Sequence, residues 1–156
     1  MSSTITARVQ ALGLPLEPAG GPAANYVSKV QVGDLLFVSG QVPRQGDKPV
    51  WLGRVGDTLS EEEGRQAARQ AALGVLAHLA DAVGDDLARV ARVVRLGVFV
   101  ACTPEFQRQS AVADGASDLM VEVLGEAGRH ARTAVGVASL PRGVAVEVEA
   151  IIQIKP

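Results

Sequence analysis

The sequence predicts an α+β fold, a mixed β-sheet with two helices packed on one face. Two long segments have the apolar spacing of helices, and segments with strand patterns lie before, between and after them. Strand pairs joined by tight turns are expected at both ends of this run. The predicted order after an N-terminal helix is β-β-(β)-α-β-α-β-β. Because the chain has 156 residues, we expect one domain, residues 1–156, in which residues 1–23 form an N-terminal helix and an irregular extension.

Glycine and proline divide the first part of the chain into its expected elements. Apolar residues at helical spacing are followed by Gly13, a residue type that often ends helices. Gly33 and Asp34 separate two short apolar runs, as the turn of a hairpin does. The expected elements are a helix at 3–13, an irregular connection at 15–25, strands at 26–32 and 35–39, and a polar loop at 44–59 with a short strand around 50–52.

A long helix is predicted between Ser60 and Gly84. Ser60 and Glu63 form a capping-box pattern, in which each side chain accepts a hydrogen bond from the other residue's backbone amide. Gly84 then ends the helix. A stripe of small apolar residues recurs between them at helical spacing: Gly64, Ala67, Ala68, Ala71, Val75 and Leu79. Side chains this small allow a helix to approach a sheet closely.

The second long helix is expected to begin at Thr103 and Pro104. These residue types suit the N-cap and the first helical position. The helix is predicted to run to Leu124 and to end at the glycines that follow. It is preceded by a helical turn at 85–91 and a valine-rich strand at 93–101.

The last two strands are expected to form a hairpin. They lie at 133–139 and 144–154, and Leu140-Pro141-Arg142-Gly143 has the composition of a tight turn. The final strand alternates cleanly, with aliphatic residues on one face and both Glu147 and Glu149 on the other. One face of this strand is therefore predicted to be buried.

Composition and charge exclude several classes of protein. Aromatic residues make up only 3% of the chain and the formal net charge is −2, so neither a base-stacking platform nor a basic surface for nucleic acid is expected. Cys102 is the only cysteine, and the two histidines, His78 and His130, are far apart in sequence. We therefore expect no disulfide and no metal site, and we interpret these three residues as structural.

Localisation is predicted from what the sequence lacks. The N-terminus has no apolar segment after a basic start, as a secretory signal would. The uninterrupted apolar runs are too short to span a membrane. A cytoplasmic protein without a membrane partner is the resulting expectation.

Three polar residues remain as candidates after a search for common catalytic motifs. No phosphate loop, dinucleotide fingerprint, nucleophile elbow or zinc-binding helix pattern is present. Glu147 lies on the face opposite an aliphatic one, and it is either solvated or a proton acceptor with a raised pKa. Arg132, before a valine-rich strand, is either a surface residue or a fork for a substrate carboxylate. Ser39 either ends a strand or lines a cleft.

Two separated segments resemble the YjgF/RidA family, also called the L-PSP endoribonuclease or translation-inhibitor family. Its C-terminal signature is similar to ARTAVGVASLPRG at 131–143 followed by VEVEA at 146–150. Its N-terminal signature is similar to VSGQVP at 38–43, with Tyr26 at the expected distance upstream. The resemblance covers residues 24–155. The added N-terminal helix and a longer segment between Phe106 and Arg132 resemble a longer subgroup of the family.

The resemblance implies a chorismate-mutase-like fold and a homotrimer with clefts between its subunits. In such a cleft, Arg132 would bind the carboxylate of a 2-imino or 2-enamino acid, and Glu147 would place or activate a water molecule. Tyr26 and Ser39 would line the same cleft. The implied reaction is hydrolysis of the imine to a 2-oxo acid and ammonia, with no cofactor and no metal.

The sequence departs from the family pattern at two places in this cleft. The family often has cysteine two residues after the arginine, where this chain has Ala134. A role of this position in the cleft would therefore depend on the backbone carbonyl of Ala134. The usual Gly-Pro-Tyr is Ala24-Asn25-Tyr26. Three functions therefore stay open: an imine deaminase, a binder of small carboxylates without turnover, and a ribonuclease, against which the charge and the scarcity of aromatic rings argue.

The homotrimer is also expected from the predicted sheet. Its strands are rich in valine on one face and partly aliphatic on the other. Two helices cover only one of these faces, so the second face needs cover from another subunit.

Overall fold

The computed structural model of the protein describes residues 4–22 and 24–156. Its helices are α1 (Ile5–Ala11), α2 (Glu61–Val83) and α3 (Gln109–Leu124). Its strands are β1 (Lys29–Val32), β2 (Leu35–Gln41), β3 (Arg44–Gln45), β4 (Lys48–Pro49), β5 (Val90–Ala101), β6 (Ala131–Val137) and β7 (Val146–Ile154). Ser3, at the start of the predicted N-terminal helix, and Ala23, in the predicted irregular connection, lie outside the described residues.

Five strands form a mixed sheet in the order β1-β2-β7-β5-β6. β1 pairs with β2, β2 with β7, and β7 with β5 in antiparallel orientation. β5 and β6 are parallel, because the chain crosses over through α3 between them. The predicted mixed sheet with its helices is confirmed. β3 and β4 form a separate two-stranded ribbon, and the short strand expected around 50–52 is absent there.

The predicted C-terminal hairpin is wrong, because β5 lies between β6 and β7. The segment that joins β6 to β7 pairs instead with the loop that contains Trp51. Ala145 N–H donates to the Trp51 carbonyl at 2.9 Å, and Gly53 N–H donates to the Gly143 carbonyl at 2.9 Å. These bonds hold the turn away from β6 and direct β7 to the far side of β5.

Both long helices pack on one face of the sheet. α2 contacts β7 and β2, α3 contacts β5 and β6, and the two helices contact each other. Every residue of the predicted small-residue stripe on α2 is buried. The alternation predicted for β7 is confirmed, since its five aliphatic side chains are buried beneath the helices and the residues between them are only partly buried. In the described part of the chain, no helix is long and apolar enough to span a membrane.

The ends of α2 follow the predicted capping pattern. Glu63 N–H donates to Ser60 Oγ at 3.1 Å, and Ser60 N–H donates to Glu63 Oε1 at 3.2 Å. At the other end, Gly84 adopts a left-handed conformation with a φ of 66°. Local sequence therefore determines the full length of this helix.

The predicted start of α3 at Thr103 is wrong. Phe106 N–H donates to the Thr103 carbonyl at 3.2 Å, so Thr103 and Pro104 form a turn. Proline with a fixed φ suits the second position of such a turn as well as the first position of a helix. The helix begins six residues later, at Gln109.

The opposite face of the sheet carries exposed apolar and charged side chains together. Phe37 and Val135 are 40% and 41% exposed, and Ile151 lies beside Phe37 across the β2–β7 pair. Glu147 pairs with Phe99, and Glu149 pairs with Gly97 on this face. We call it the open face of the sheet.

Two glycines on the long helices, Gly115 and Gly74, are predicted to differ in the effect of substitution by alanine on stability. A methyl group at Gly115 would lie 2.0 Å from the backbone carbonyl oxygen of Arg65, so the helices would have to separate. A methyl at Gly74, on the side of α2 that faces β2, would lie 2.9 Å from Gln41 Oε1 and 3.1 Å from Gln41 Cβ, so only this one side chain would have to shift. We expect Gly115→Ala to lower the free energy of unfolding by about 1–3 kcal/mol.

The matched variant Gly74→Ala should leave that free energy unchanged or raise it by up to about 1 kcal/mol through helix propensity. Urea unfolding of both variants checks the pair. Equal destabilisation by the two substitutions would contradict this account of the packing.

Candidate functional site

A cavity of about 370 Å³, open to solvent, lies beside the ends of β2 and β7. Three of the residues predicted for the site line it: Tyr26, Ser39 and Glu147. Gly40, Gln41 and Arg142 also line this cavity. The structure therefore brings together the two halves of the sequence signature that lie more than a hundred residues apart. We call it the Glu147 cavity.

Gly40 makes room for the Glu147 carboxylate. A methyl group at this position would lie 2.0 Å from Glu147 Oε1. Gly40 follows Ser39 in the VSGQVP segment at 38–43. Its close approach to a carboxylate on another strand gives it a place in the site that the sequence alone did not indicate.

The environment of Glu147 favours its protonated form. Burial raises the pKa of the Glu147 carboxyl above its ordinary value of 4.5, and the neighbouring Glu149 carboxylate raises it further. A carboxylate with a raised pKa is a stronger proton acceptor than an ordinary surface glutamate. The predicted role of Glu147 in activating water fits this environment.

Ser39 and Tyr26 present different groups to the Glu147 cavity. Ser39 Oγ donates to the Val27 carbonyl at 2.8 Å, so its remaining lone pairs can accept a hydrogen bond from a ligand. Tyr26 is 50% exposed, which leaves its ring accessible at the rim. The cavity thus combines an acceptor, an aromatic edge and a carboxylate.

Arg142 is a cation of this cavity that the sequence analysis treated only as part of a turn. It adopts a left-handed conformation with a φ of 60°, which costs energy for a residue other than glycine. Its Nη2 group donates to the Asp47 carbonyl at 3.1 Å. The turn Leu140-Pro141-Arg142-Gly143 could have indicated this residue, because it places an arginine next to the strand of Glu147.

Arg132 and Ala134 lie on the other face of the sheet from Glu147. On the parallel β5–β6 pair they are the partners of Leu96 and Val98, which are buried beneath the helices. Within one chain the structure therefore does not bring Arg132 or Ala134 to the Glu147 cavity. Arg132 lies within β6, and its side chain is 20% exposed.

Three groups of α3 hold the Arg132 guanidinium. Nη1 donates to Asp114 Oδ1 at 2.8 Å and to Ser117 Oγ at 3.1 Å, and Nη2 donates to the Ser110 carbonyl at 3.3 Å. Among the residues described, no partner is found for Nε–H. Nε–H has one Nη2–H beside it on the same edge of the guanidinium, and such an edge can bind a carboxylate through two parallel hydrogen bonds.

His130 lies next to this arginine, and not in the Glu147 cavity. A separate cavity of about 270 Å³ is lined by Arg132, His130, Ser117 and Arg129, among others. His130 Nε2 and Ser117 Oγ are 2.8 Å apart. This contact joins residues 13 positions apart in sequence, so the sequence pattern did not indicate it. It connects His130 to a residue that holds Arg132.

The profile of one protein family, described as "YjgF/chorismate mutase-like, putative endoribonuclease", matches residues 6–148. The chain belongs to this family. This confirms the resemblance to YjgF/RidA proteins seen in the two signatures, and it accounts for the shared α+β fold.

Relatives extend the YjgF-family likeness over nearly the whole chain. Protein TCP17 of Trypanosoma cruzi is 50% identical over 154 residues, which cover 98% of this chain and 96% of that protein. The crystal structure of Atu1372 from Agrobacterium tumefaciens is 44% identical with a TM-score of 0.91, covering 97% and 92% of the two chains. Escherichia coli TdcF with bound serine is 26% identical with a TM-score of 0.60, covering 86% and 92%.

Across residues 4–22 and 24–156 of this YjgF-family chain, no three His, Cys, Asp or Glu side chains are grouped so that they could hold a metal ion. Cys102 is buried at the end of β5, with Gly136 and Gln109 beside its sulfur. His78 is buried on α2. None of the three residues interpreted as structural lies in the Glu147 cavity.

The raised pKa of Glu147 predicts a pH-dependent effect of Glu147→Gln on stability. Because the folded-state pKa is raised, ionised Glu147 opposes folding at neutral pH, whereas below the unfolded-state value the residue is protonated in both states. We expect Glu147→Gln to be more stable than wild type at pH 7, with the gain disappearing below about pH 4.

Urea unfolding across this pH range measures the difference. Glu105→Gln, at an exposed carboxylate, is the control for loss of one negative charge. A gain of the same size at every pH, or a Glu105→Gln curve that matches that of Glu147→Gln, would contradict the prediction.

Proposed function

We propose that the protein hydrolyses reactive 2-imino or 2-enamino acids to 2-oxo acids and ammonia, in clefts between the subunits of a cytoplasmic homotrimer. The observation that carries this proposal is the state of Arg132, which α3 holds through Nη1 and Nη2 while Nε–H has no partner among the described residues. Nε–H, with an Nη2–H beside it, suits a substrate carboxylate. The family membership and the partly buried Glu147 support the same reaction.

Few groups are needed for this chemistry, because an imine carbon is already electrophilic. Arg132 holds the carboxylate so that C2 lies in a fixed position. A water molecule attacks C2 as Glu147 accepts its proton, which gives a tetrahedral carbinolamine. The imine nitrogen enters this step protonated by solvent, so the carbinolamine is neutral. Glu147 then gives its proton to the amine nitrogen, the C–N bond breaks as the hydroxyl oxygen forms the carbonyl, and ammonia leaves. The hydroxyl proton returns to Glu147 and passes to solvent.

Two subunits are required if Arg132 and Glu147 act on one substrate. Within a chain they lie on opposite faces of the sheet, with β5 between their strands. Arg132 is on the edge strand β6, where a neighbouring subunit can approach it. The apolar side chains of the open face, among them Phe37 and Val135, supply a surface for such an assembly.

The relative TdcF supports a ligand of this class, because its structure contains bound serine, a small amino acid with a carboxylate. In this chain the cleft would take a 2-imino acid of similar size, with Tyr26 and Ser39 beside it and the Ala134 backbone carbonyl close to Arg132. Reactive imines arise as by-products of pyridoxal-phosphate enzymes, so the proposed role is to remove them.

The deaminase proposal predicts that Arg132→Ala and Glu147→Gln lose activity for different reasons. 2-Iminopropionate is generated from alanine by an amino-acid oxidase, and pyruvate formation above the buffer rate is measured. Arg132→Ala should lower kcat/KM about a hundredfold, as expected for loss of a bidentate charged contact. Glu147→Gln should lower kcat while pyruvate still binds in calorimetry.

The outcomes separate the three functions. Binding of pyruvate by the wild type with no rate above buffer would establish a carboxylate binder. RNA cleavage that is lost in Arg132→Ala would support the ribonuclease. Wild-type rates in Arg132→Ala would overturn the deaminase proposal as stated.

Mixed assemblies test whether each cleft takes Arg132 and Glu147 from different subunits. Arg132→Ala and Glu147→Gln chains with different tags are co-expressed, and assemblies with both tags are isolated. In a cyclic trimer of either mixed composition, one cleft keeps both intact residues, so we expect about one third of wild-type activity. Each variant alone is the control, and sedimentation gives the mass of the assembly. A mixed trimer as inactive as its parents would show that one subunit supplies both residues.

A further inference from the structure

A polar stripe on α3 meets Arg132. Ser110, Asp114 and Ser117 are spaced by four and three residues, so they lie on one face of a helix that otherwise buries mainly apolar side chains. All three contact the same guanidinium, two through side chains and Ser110 through its backbone carbonyl. This face of α3 thus presents three polar groups to the arginine of β6.

The hydrogen bonds around Ser117 form a chain with a single consistent direction. His130 Nδ1 lies 2.6 Å from the Gly128 carbonyl, which can only accept, so Nδ1 carries the hydrogen. In the neutral ring, Nε2 then accepts from the Ser117 hydroxyl at 2.8 Å. The oxygen of Ser117 is left with lone pairs that face Arg132 and accept from Nη1.

We infer that Asp114 and Ser117, with His130 behind Ser117, are positioning residues that aim the Nε side of the Arg132 guanidinium at a substrate carboxylate. The inference rests on the proposed function, since it assigns these residues to the substrate-binding role of Arg132. Asp114 and Ser117 occupy both hydrogens of Nη1, and the Ser110 carbonyl occupies one of Nη2. Contacts at both Nη atoms therefore restrict rotation of the guanidinium, and Nε–H is left without a partner among the described residues.

A fixed guanidinium binds a carboxylate better than a mobile one, because less conformational freedom is lost on binding. Arginine side chains otherwise lose considerable rotamer entropy when they are held. Asp114 also compensates the charge of Arg132 on the side away from the ligand, at 2.8 Å. Removal of either contact should weaken substrate binding while the chemical step at Glu147 is little affected.

The test compares Ser117→Ala with Ser110→Ala. Both variants remove one hydroxyl from the same helix, but Ser110 contacts Arg132 through its backbone and keeps that bond. We expect Ser117→Ala and Asp114→Asn to raise KM for 2-iminopropionate about tenfold with kcat changed less than about twofold. Ser110→Ala should behave as wild type, and Ser117→Thr should restore most of the affinity. Calorimetric binding of pyruvate is the readout that does not depend on turnover.

A double-mutant cycle separates positioning from a general structural role. In an Arg132→Ala background, Ser117→Ala should add no further loss of pyruvate binding or of kcat/KM. An additional loss in that background would mean that Ser117 acts on the fold, and the inference would be overturned.

The failures of the two proposals are distinguishable. If the wild type is active and Arg132→Ala is not, but Ser117→Ala and Asp114→Asn match the wild type, the positioning role is wrong and the deaminase stands. If the wild type neither hydrolyses 2-iminopropionate nor binds pyruvate, the proposed function is wrong, and the positioning role is overturned with it.

Discussion

Burial of the five aliphatic side chains of β7 beneath the helices fixes the register of the central strand. Because side chains alternate along a strand, this burial sends Glu147 and Glu149 together to the open face. A slip by one residue would bury both carboxylates and expose the core. The same register places Glu147 over Gly40 of β2, where a larger residue would displace the carboxylate. The position of the carboxylate is therefore a consequence of hydrophobic packing on the opposite side of the strand.

Elements governed by local patterns could be predicted from the sequence, and those governed by competition between distant segments could not. The capping box of Ser60 and the alternation of β7 are local, and both are present as predicted. The C-terminal hairpin failed because the Trp51 loop, about ninety residues upstream, binds the turn before β7. Thr103 and Pro104 suit a turn and a helix start equally, so tertiary contacts decided between them.

The same distinction between local patterns and distant contacts applies to the residues of the candidate site. Tyr26, Ser39 and Glu147 were predicted on the strength of two short signatures, and the structure places all three around one cavity. The setting of Arg132 could not be foreseen, since its contacts with Asp114 and Ser117 depend on α3 lying against β6. The spacing of Ser110, Asp114 and Ser117 was visible in the sequence. Without the strand pairing, nothing related that polar stripe to an arginine on the next strand.

Separation of Arg132 from Glu147 within a chain has a chemical consequence. A guanidinium in direct contact with Glu147 would lower the pKa of its carboxyl, and the two charges would neutralise each other. Instead, burial and the neighbouring Glu149 raise the pKa of Glu147, while Asp114 compensates Arg132 on the other side of the sheet. In the proposed cleft, the guanidinium of one subunit then meets the carboxylate of the substrate, and Glu147 of the next subunit stays free to accept a proton. The substrate carboxylate lies between the two groups in this proposal, and it neutralises the guanidinium that would otherwise lower the pKa of Glu147.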